Sequence, residues 1–418
     1  MNQLIHTPEG VRDIFGKECD KKRYLERKIE RKFRSYGYQS VETPSFEFSE
    51  VFSREIGTTP MREMYRFFDR DGNMLVLRPD FTPSVARLVS MYFSEEEGPV
   101  RLCYHGRVFQ NNSSYQGRLK EETQMGVELF GDEGPEADAE MISLVVSVMR
   151  DAGLEDFQIS LGHVDYFQSL ADEADLDQDT RQQLRHLLTI QNQFGVQELL
   201  TGLRLRDDLQ AALGAIPELI GGTEVLEKAV KLTENRRAQE ACSRLARIYE
   251  LLCAYGCERY VTFDLGMLTA YRYYSGIIFQ AYTYGTGDAI IKGGRYNLVE
   301  HFGKKAAAIG FTTEVDALLM ALERQGIELP IADIKTMVLY PAWMEAEAIR
   351  FAEAHRAQGM DVACVRFEAG KELDDYRAYG ERNQFGGIIY FQSETERYAI
   401  NLGTREVEKL SAGGGLSL

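Results

Sequence analysis

The first third of the chain alternates between a helical and a strand-like spacing of its hydrophobic positions. Residues 20–36 repeat apolar side chains at helical spacing, which predicts a helix with Asp20 as its cap and Gly37 as its stop. The segment "YQSVETPSFEF" predicts a short strand that Pro44 interrupts. Three further strands are predicted from "MLVLRPD", "VRLCYHGRVFQ" and "ETQMGVELFG".

The pattern changes twice in the rest of the chain. Residues 135–152 predict a helix, and Leu, Gln, Arg, Glu and Asp at helical spacing predict a helical insertion over about 168–255. Strands return in "RYVTFDLG", "YYSGIIFQAYTY" and "DAIIKGG", and residues 330–410 alternate as βαβαβ units do. We therefore expect a core over residues 1–325 that contains the insertion, a small α/β domain over 330–410, and a frayed tail over 411–418.

Composition and charge narrow the classes of function. The 418 residues carry a net charge of −17, which argues against a protein that grips a nucleic-acid backbone. Because no apolar run is long enough to span a bilayer and the N-terminus lacks a secretory signal, we expect a cytoplasmic protein without membrane contact. Cys253 and Cys257 would share a face if one helix held both, but no other cysteine or histidine stands at metal-ligand spacing. We expect no metal and no cofactor.

One predicted strand has two different faces. Over residues 123–129 the odd positions are mostly apolar, whereas Gln124, Gly126 and Glu128 share the other face. The glycine would open a floor between two polar side chains, on which a small polar ligand could lie. A solvated face of an antiparallel sheet would give the same alternation, so this pattern alone leaves both interpretations open. The glycine-rich "KGGRY" at 292–296 predicts a tight turn rather than a ligand loop.

Several spaced motifs together resemble histidyl-tRNA synthetases. They are "TPEGVRD", "GYQSVETPSFE", "EMYRFFDRDGNMLVLRPDFTPSVAR", the 101–131 hairpin, "SLGHVDYF", "YYSGIIFQAY", "GGRY" and "GFTTEVDAL", in the order found in that family. The resemblance covers roughly residues 7–325, and it continues with weaker similarity to residue 410. It implies an α+β fold with a class II synthetase-like antiparallel sheet flanked by helices, and a dimer formed through the first helix and the Pro44 strand. The last domain resembles a shortened anticodon-binding domain.

The resemblance fails at the positions that hold ATP in the family. An arginine in the family's Phe-Arg-x-Glu pattern matches Gln110, and the glutamate of that pattern matches Asn112. Two further family arginines match Thr269 and Ala317. At about 1.5–3 kcal/mol for each charged hydrogen bond, their loss removes roughly 4–9 kcal/mol if the contributions add. The resemblance therefore implies that adenylation is lost and that the chain has no catalytic residues.

The positions that hold the amino acid are mostly kept. Glu-Gly-Thr of the family, which receives the α-ammonium, matches Asp80-Phe81-Thr82, and the Phe81 ring is expected to crowd the pocket. Arg272 is a candidate for the cation that Thr269 no longer supplies. The implied histidine-binding set is Asp80, Phe81, Thr82, Gln110, Gln124, Glu128, Arg272, Tyr273 and Tyr274.

Retained amino-acid contacts without ATP contacts are typical of the family's regulatory branch. This branch implies a regulatory subunit that pairs with a short-form ATP phosphoribosyltransferase catalytic subunit and mediates inhibition by L-histidine, its effector. Residues 331–410 carry ten Lys/Arg against fourteen Asp/Glu, a net charge of −4, so binding of tRNA is not expected. Two alternatives remain open: a diverged but active histidyl-tRNA synthetase, and a synthetase-like module with an unrelated partner.

Overall fold

The computed structural model describes residues 5–52, 59–112, 119–268, 273–331 and 335–410. Contacts divide the chain into two compact units. Residues 1–13 and 25–328 belong to the first unit, and residues 14–24 and 329–418 belong to the second. The expected tail over 411–418 lies outside the described residues.

The first helix, α1, spans Gly16–Ser35. The predicted cap Asp20 is wrong, because the helix begins before it and Asp20 lies inside. The predicted stop is confirmed: Gly37 adopts φ +83° and its N–H donates to the carbonyl of Arg34 at 3.0 Å. A left-handed residue of this kind ends a helix, and glycine adopts that conformation without strain.

The elements predicted for the first unit are present in the predicted order, among others that were not predicted, such as the helix over 82–92. Before the insertion they are β1 (Gln39–Ser40), β2 (Phe46–Phe48), β3 (Arg66–Phe68), β4 (Met74–Leu77), α2 (Thr82–Tyr92), β5 (Val100–Phe109), β6 (Glu121–Phe130), α3 (Pro135–Ala152) and β7 (Phe157–His163). The helical insertion contains α4 (Val164–Glu173), α5 (Gln178–Thr189), α6 (Gln193–Thr201), α7 (Asp207–Ala215), β8 (Ile220–Gly221), α8 (Glu224–Lys231) and α9 (Arg236–Tyr255). After it come β9 (Val261–Asp264), β10 (Tyr274–Thr283), β11 (Ile291–Tyr296), β12 (Ala308–Glu314) and α10 (Val315–Arg324).

The described strands of this unit form one large sheet and one small sheet. The large sheet has the order β1-β5-β6-β12-β11-β10-β7-β9-β8, and its central pairs from β5 to β7 are antiparallel. This is the antiparallel sheet that the resemblance implied. The small sheet has the order β2-β4-β3. Pro44 lies between β1 and β2, as predicted for a strand interrupted by proline.

Two glycines stand in a strand where a turn was expected. The "KGGRY" segment lies in β11, so the predicted tight turn is wrong. An added Cβ at Gly293 would lie 2.5 Å from the ring of Phe279, and one at Gly294 would lie 2.8 Å from the ring of Tyr274. The glycines therefore leave room for aromatic side chains of the neighbouring strand β10.

A buried ion cluster joins the insertion to the back of the large sheet. Asp138 of α3 is fully buried, and its carboxylate contacts Arg295 Nε of β11 at 2.5 Å and Arg244 Nε of α9 at 2.8 Å. Burial raises the pKa of Asp138, and the two guanidinium groups act against that rise.

Helix α9 ends at Tyr255, so Cys257 lies beyond it and does not share a helical face with Cys253.

Among its described residues, the second unit has its own sheet, two whole α-helices and the first part of α1, residues 16–24. Its elements are β13 (Lys335–Tyr340), α11 (Glu345–Arg356), β14 (Val362–Arg366), α12 (Leu373–Arg382), β15 (Phe385–Phe391), β16 (Arg397–Asn401) and β17 (Val407–Leu410). The strand order is β14-β13-β15-β16-β17, with parallel pairs around β13 and antiparallel pairs after β15. The last strand was not predicted. In the described part of both units, no helix has the length and apolar character that a membrane span needs.

Candidate ligand-binding site

A cavity of about 200 Å³ lies on one face of the large sheet. Its floor comes from same-face positions of neighbouring strands, because Glu128 of β6 stands opposite Gly310 of β12, which stands opposite Gly294 of β11. The lining residues are Thr59, Pro79, Asp80, Thr82, Gln110, Asn112, Glu122, Gln124, Glu128, Tyr273, Tyr274, Asp288, Lys292, Gly294, Tyr296, Gly310, Phe311, Thr312 and Glu314. The volume lies below the ~300–1,000 Å³ of drug-sized ligand pockets, which favours a small ligand.

Glu128 is the most deeply buried acid of the cavity. Its side chain is only 1% exposed, and its two carboxyl oxygens accept hydrogen bonds from Thr82 Oγ1 at 2.9 Å and Tyr296 OH at 2.6 Å. The carboxyl lies across Gly310, where an added Cβ would stand 1.8 Å from Glu128 Oε2. The missing side chain at position 310 is therefore what allows Glu128 to reach Tyr296.

Burial raises the pKa of Glu128 to about 8, and the nearby negative charge of Asp80 acts in the same direction. The hydroxyl groups of Tyr296 and Thr82 lower it by donating to the carboxylate, but they do not offset burial. Since no described lysine, arginine or histidine forms an ion pair with Glu128, its raised pKa favours the carboxylic acid form at neutral pH. A ligand that brings positive charge would favour its ionised form.

Gln124 carries a hydrogen-bond acceptor that lacks a partner. The residue is 7% exposed, and its Oε1 atom is buried without a hydrogen bond among the described residues. It lies on the same face of β6 as Glu128 and lines the same cavity. Because an unsatisfied buried acceptor costs about 1–3 kcal/mol, the site is incomplete without a donor group from a ligand or water.

The structure excludes one interpretation of the two-faced strand. The alternative of a solvated face is wrong, because Gln124 and Glu128 are both buried. The expected floor at Gly126 is also wrong: Tyr104 stands opposite Gly126 in the sheet, and its hydroxyl would lie 2.2 Å from a Cβ added there. Tyr104 crosses the glycine and its hydroxyl hydrogen-bonds with Thr312 Oγ1 at 2.9 Å. Gly126 therefore makes room for a side chain of the protein.

The end of the cavity that matches the family's ATP site is polar and uncharged at the two hairpin positions. Gln110 and Asn112 both line the cavity, and Asn112 Nδ2 donates to Gln110 Oε1 at 3.4 Å. Ala317 lies in α10 and is not part of the lining. Thr269 lies outside the described residues.

The charge of the described lining is strongly negative. Its carboxyl groups belong to Asp80, Glu122, Glu128, Asp288 and Glu314. The one cation in this described lining is Lys292, whose Nζ lies 3.2 Å from Glu314 Oε1. A group of like charges with low-dielectric walls focuses the field, so the cavity favours cationic ligands and repels anions.

The structure brings together most of the predicted histidine-binding set. Seven members line the cavity: Asp80, Thr82, Gln110, Gln124, Glu128, Tyr273 and Tyr274. Arg272 lies outside the described residues.

Phe81 does not line the cavity, and its ring does not crowd the pocket as expected. The ring is 1% exposed and stacks on Tyr104 with a centroid distance of 4.5 Å, while the guanidinium of Arg78 lies 4.0 Å from its centroid. Phe81 precedes the first turn of α2, where adjacent side chains point in different directions. Gly106 leaves room for this stack, since a Cβ there would lie 2.9 Å from the Phe81 ring.

Several lining residues were missed from the sequence. Glu122 follows the same alternation as Gln124 and Glu128 and could have been found by extending it by one step. Lys292 and Tyr296 were missed because their segment was expected to form a turn. Asp288 carries no sequence signal that we recognise. Thr312 and Glu314 alternate in "GFTTE", and the same two-residue spacing could have placed both on one face of a strand.

Comparison with known proteins covers nearly the whole chain. The family model of histidyl-tRNA synthetase matches residues 10–318. A relative from Acetivibrio thermocellus, named ATP phosphoribosyltransferase regulatory subunit, is 38% identical over 408 residues, which are 97% of each chain. A solved structure from Bacillus halodurans C, described as an ATP phosphoribosyltransferase regulatory subunit/histidyl-tRNA synthetase, has a TM-score of 0.83 at 30% identity and covers 93% of this chain and 98% of that one. A histidyl-tRNA synthetase from Nostoc has a TM-score of 0.80 at 17% identity, covers 97% of both chains, and shares the class II fold alone.

Proposed function

The chain belongs to the family of ATP phosphoribosyltransferase regulatory subunits, built on the histidyl-tRNA synthetase-like class II fold, and from this premise we propose how it acts. The family has a regulatory role in histidine biosynthesis. In the proposal, the chain is a non-catalytic subunit that a short-form catalytic subunit requires for the first step of that pathway. L-Histidine is its feedback effector and binds in the acidic cavity.

The observation that carries this proposal is the charge of the cavity. Five carboxyl groups and one ion-paired lysine line it among the described residues. Adenylation by a synthetase needs cationic groups around the polyphosphate of ATP. The amides of Gln110 and Asn112 supply no such charge. The same lining suits an amino acid that presents an ammonium and an imidazole, because carboxylates and amide oxygens accept hydrogen bonds from both.

The proposed contacts to histidine are supported by the residues that share the cavity lining. The unpaired Gln124 Oε1 accepts from the α-ammonium, with Asp80 nearby in the lining, and Glu128 receives the imidazole. Tyr273 and Tyr274 line the same cavity and are the proposed aromatic contacts. Histidine then inhibits by binding the inactive arrangement of the complex more tightly than the active one, since a ligand shifts an equilibrium only by its difference in affinity.

We also propose that the chain forms a dimer through its first helix and the strand that follows Pro44. One face of the small sheet supports this, because Phe46, Phe48 and Phe67 are 53%, 54% and 39% exposed. The rings of Phe46 and Phe67 lie 6.0 Å apart on that face, and Leu75 stands opposite both Phe48 and Phe67. A contiguous apolar face of this kind marks an interface in soluble proteins.

The experiment that tests the proposal is reconstitution. The short-form catalytic subunit is assayed for condensation of ATP with phosphoribosyl pyrophosphate, alone and with this chain, and then with increasing histidine. We expect activity only in the mixture, and inhibition by histidine. ATP–pyrophosphate exchange with histidine by this chain alone would instead support an active synthetase. Binding of tRNA at physiological salt would contradict the expectation drawn from the negative charge of residues 331–410.

A further inference from the structure

The carboxyl of Glu128 lies in surroundings that make its charge depend on the ligand. Both oxygens are held by hydroxyl donors, those of Thr82 and Tyr296, and the group is 1% exposed. A hydroxyl donor stabilises a carboxylate less than a cation does, and no described cation forms an ion pair with Glu128. Its two hydrogen bonds hold the carboxyl over Gly310, where an added Cβ would overlap it.

The groups that face Glu128 or share its cavity add negative charge or no charge, apart from one paired lysine. They are Asp80 ahead of α2, Tyr38 after α1, Tyr104 of β5, Glu122 of β6, Asp288 ahead of β11, Tyr296 and Lys292 of β11, Glu314 of β12, and Tyr273 and Tyr274 around the start of β10. Burial raises the pKa of Tyr104 and Tyr296 well above the ordinary value, so both hydroxyls stay neutral, and that of Tyr296 donates to Glu128. Within this described set, nothing compensates a bare carboxylate at position 128.

We propose that histidine enters the cavity as a neutral imidazole that shares one proton with Glu128, so that binding near neutral pH exchanges no proton with the solvent. The proton moves along one hydrogen bond: the O–H bond of the Glu128 carboxyl breaks as an N–H bond forms on the imidazole. The product is an imidazolium paired with a carboxylate inside the cavity. This inference rests on the proposed function, because it concerns the same effector at the same site.

The proposal sets a pH profile with two limits. Below about pH 6.5, free histidine already carries the imidazolium proton, so binding must release a proton and the affinity falls as the pH falls. Above pH 8 the empty site has lost its proton, because the pKa of Glu128 is about 8, so binding must take up a proton. The affinity therefore falls up to about tenfold per pH unit on either side of a plateau between these values.

Calorimetry of the full-length chain with L-histidine at pH 7.3, in buffers of different ionisation enthalpy, counts the protons exchanged. We expect about zero protons for the wild type. Release of about one proton would overturn the proposal, because it would mean that a neutral imidazole binds the Glu128 carboxylate. Imidazole-¹⁵N-labelled histidine provides a second readout, and we expect both nitrogens to be protonated in the complex. A bound imidazole with one protonated nitrogen and a released proton would again refute it.

Two variants separate this inference from the proposed function. In Glu128→Gln the loss of affinity above pH 8 is expected to disappear except for the titration of the ligand's own amine, which both proteins share. Glu121→Gln is the matched control, because Glu121 lies on the same strand with its side chain paired to Arg107 at 2.8 Å, and it is expected to keep the wild-type profile. If histidine does not bind the wild type at all, the effector proposal fails. If histidine binds and the profiles of Glu128→Gln and the wild type are alike, only the shared proton is refuted.

Discussion

Gly310→Ala tests whether the missing side chain at position 310 holds the cavity open for Glu128. The added Cβ would lie 1.8 Å from Glu128 Oε2 and 2.5 Å from the carbonyl oxygen of Val127. The carboxyl can rotate away, but only by leaving Tyr296, whose hydrogen bond to it is 2.6 Å long. The carbonyl belongs to the backbone of β6 and can move only with its strand.

The expected cost has two parts. Overpacking of a well-filled interior costs about 1–3 kcal/mol, and a buried polar group left without its hydrogen bond costs about 1–3 kcal/mol more. We expect denaturant unfolding to show a loss of about 2–6 kcal/mol. Calorimetry should show at least a tenfold loss of histidine affinity, because the displaced Glu128 no longer meets the ligand.

The control for this prediction is Gly287→Ala, since no atom lies within 4 Å of a Cβ added there. It should change the free energy of unfolding by no more than about 0.5 kcal/mol. A double-mutant cycle with Glu128→Ala separates the two contacts. Without the carboxyl, Gly310→Ala should lower the free energy of unfolding by less, and the remaining loss should come from the contact with the Val127 carbonyl. Wild-type stability and histidine affinity in Gly310→Ala would refute our account of the cavity floor.

Three further predictions use single substitutions elsewhere in the first unit. Glu128→Ala should weaken histidine binding by about 1–3 kcal/mol in calorimetry, and unchanged affinity would move the effector site elsewhere. Phe48→Ser should shift the dimer towards monomer in analytical ultracentrifugation, whereas an unaltered dimer would exclude this face as the interface. Burial lowers the pKa of His163 to about 4, so the unfolded chain takes up a proton first as the pH falls. Stability should therefore drop below pH 6.5 by up to about 1.4 kcal/mol per unit, and His163→Asn, which can still cap α4, should flatten that slope in denaturant titrations.

The sequence predicted the strands and helices better than it predicted how deeply the site residues are buried. Strand alternation identified Gln124 and Glu128 as neighbours on one face, because side chains on a strand point alternately to opposite sides. This alternation could not distinguish a buried face from a solvent-exposed one, because burial depends on which other strands lie beside the strand. The role of Gly126 was likewise set by Tyr104, a partner on another strand that local pattern does not reveal.

Local rules also failed where tertiary packing overrode them. "KGGRY" has the composition of a turn, yet it lies in β11 because rings from β10 occupy the space above its glycines. Phe81 stands where the family has a glycine between two residues that contact the ligand. Its ring is buried against Tyr104 and does not enter the cavity. In both cases the deciding neighbour is distant in sequence and close in space.

We expect a single restored arginine to be insufficient for synthetase activity, because the cavity lining is acidic. In Gln110→Arg the new guanidinium would stand in a cavity lined by Glu122, Asp288 and Glu314, and carboxylates would pair with it before a triphosphate could. A cation that is already paired offers little to an incoming anion, while the remaining carboxylates still repel it. We therefore expect Gln110→Arg to leave ATP–pyrophosphate exchange at background and to weaken histidine binding, because the added charge also opposes the ammonium. Equilibrium dialysis with ATP measures the binding step separately from the reaction. If this one substitution yields exchange activity, the cavity is still able to act as a synthetase site, and charge is not what distinguishes it from one.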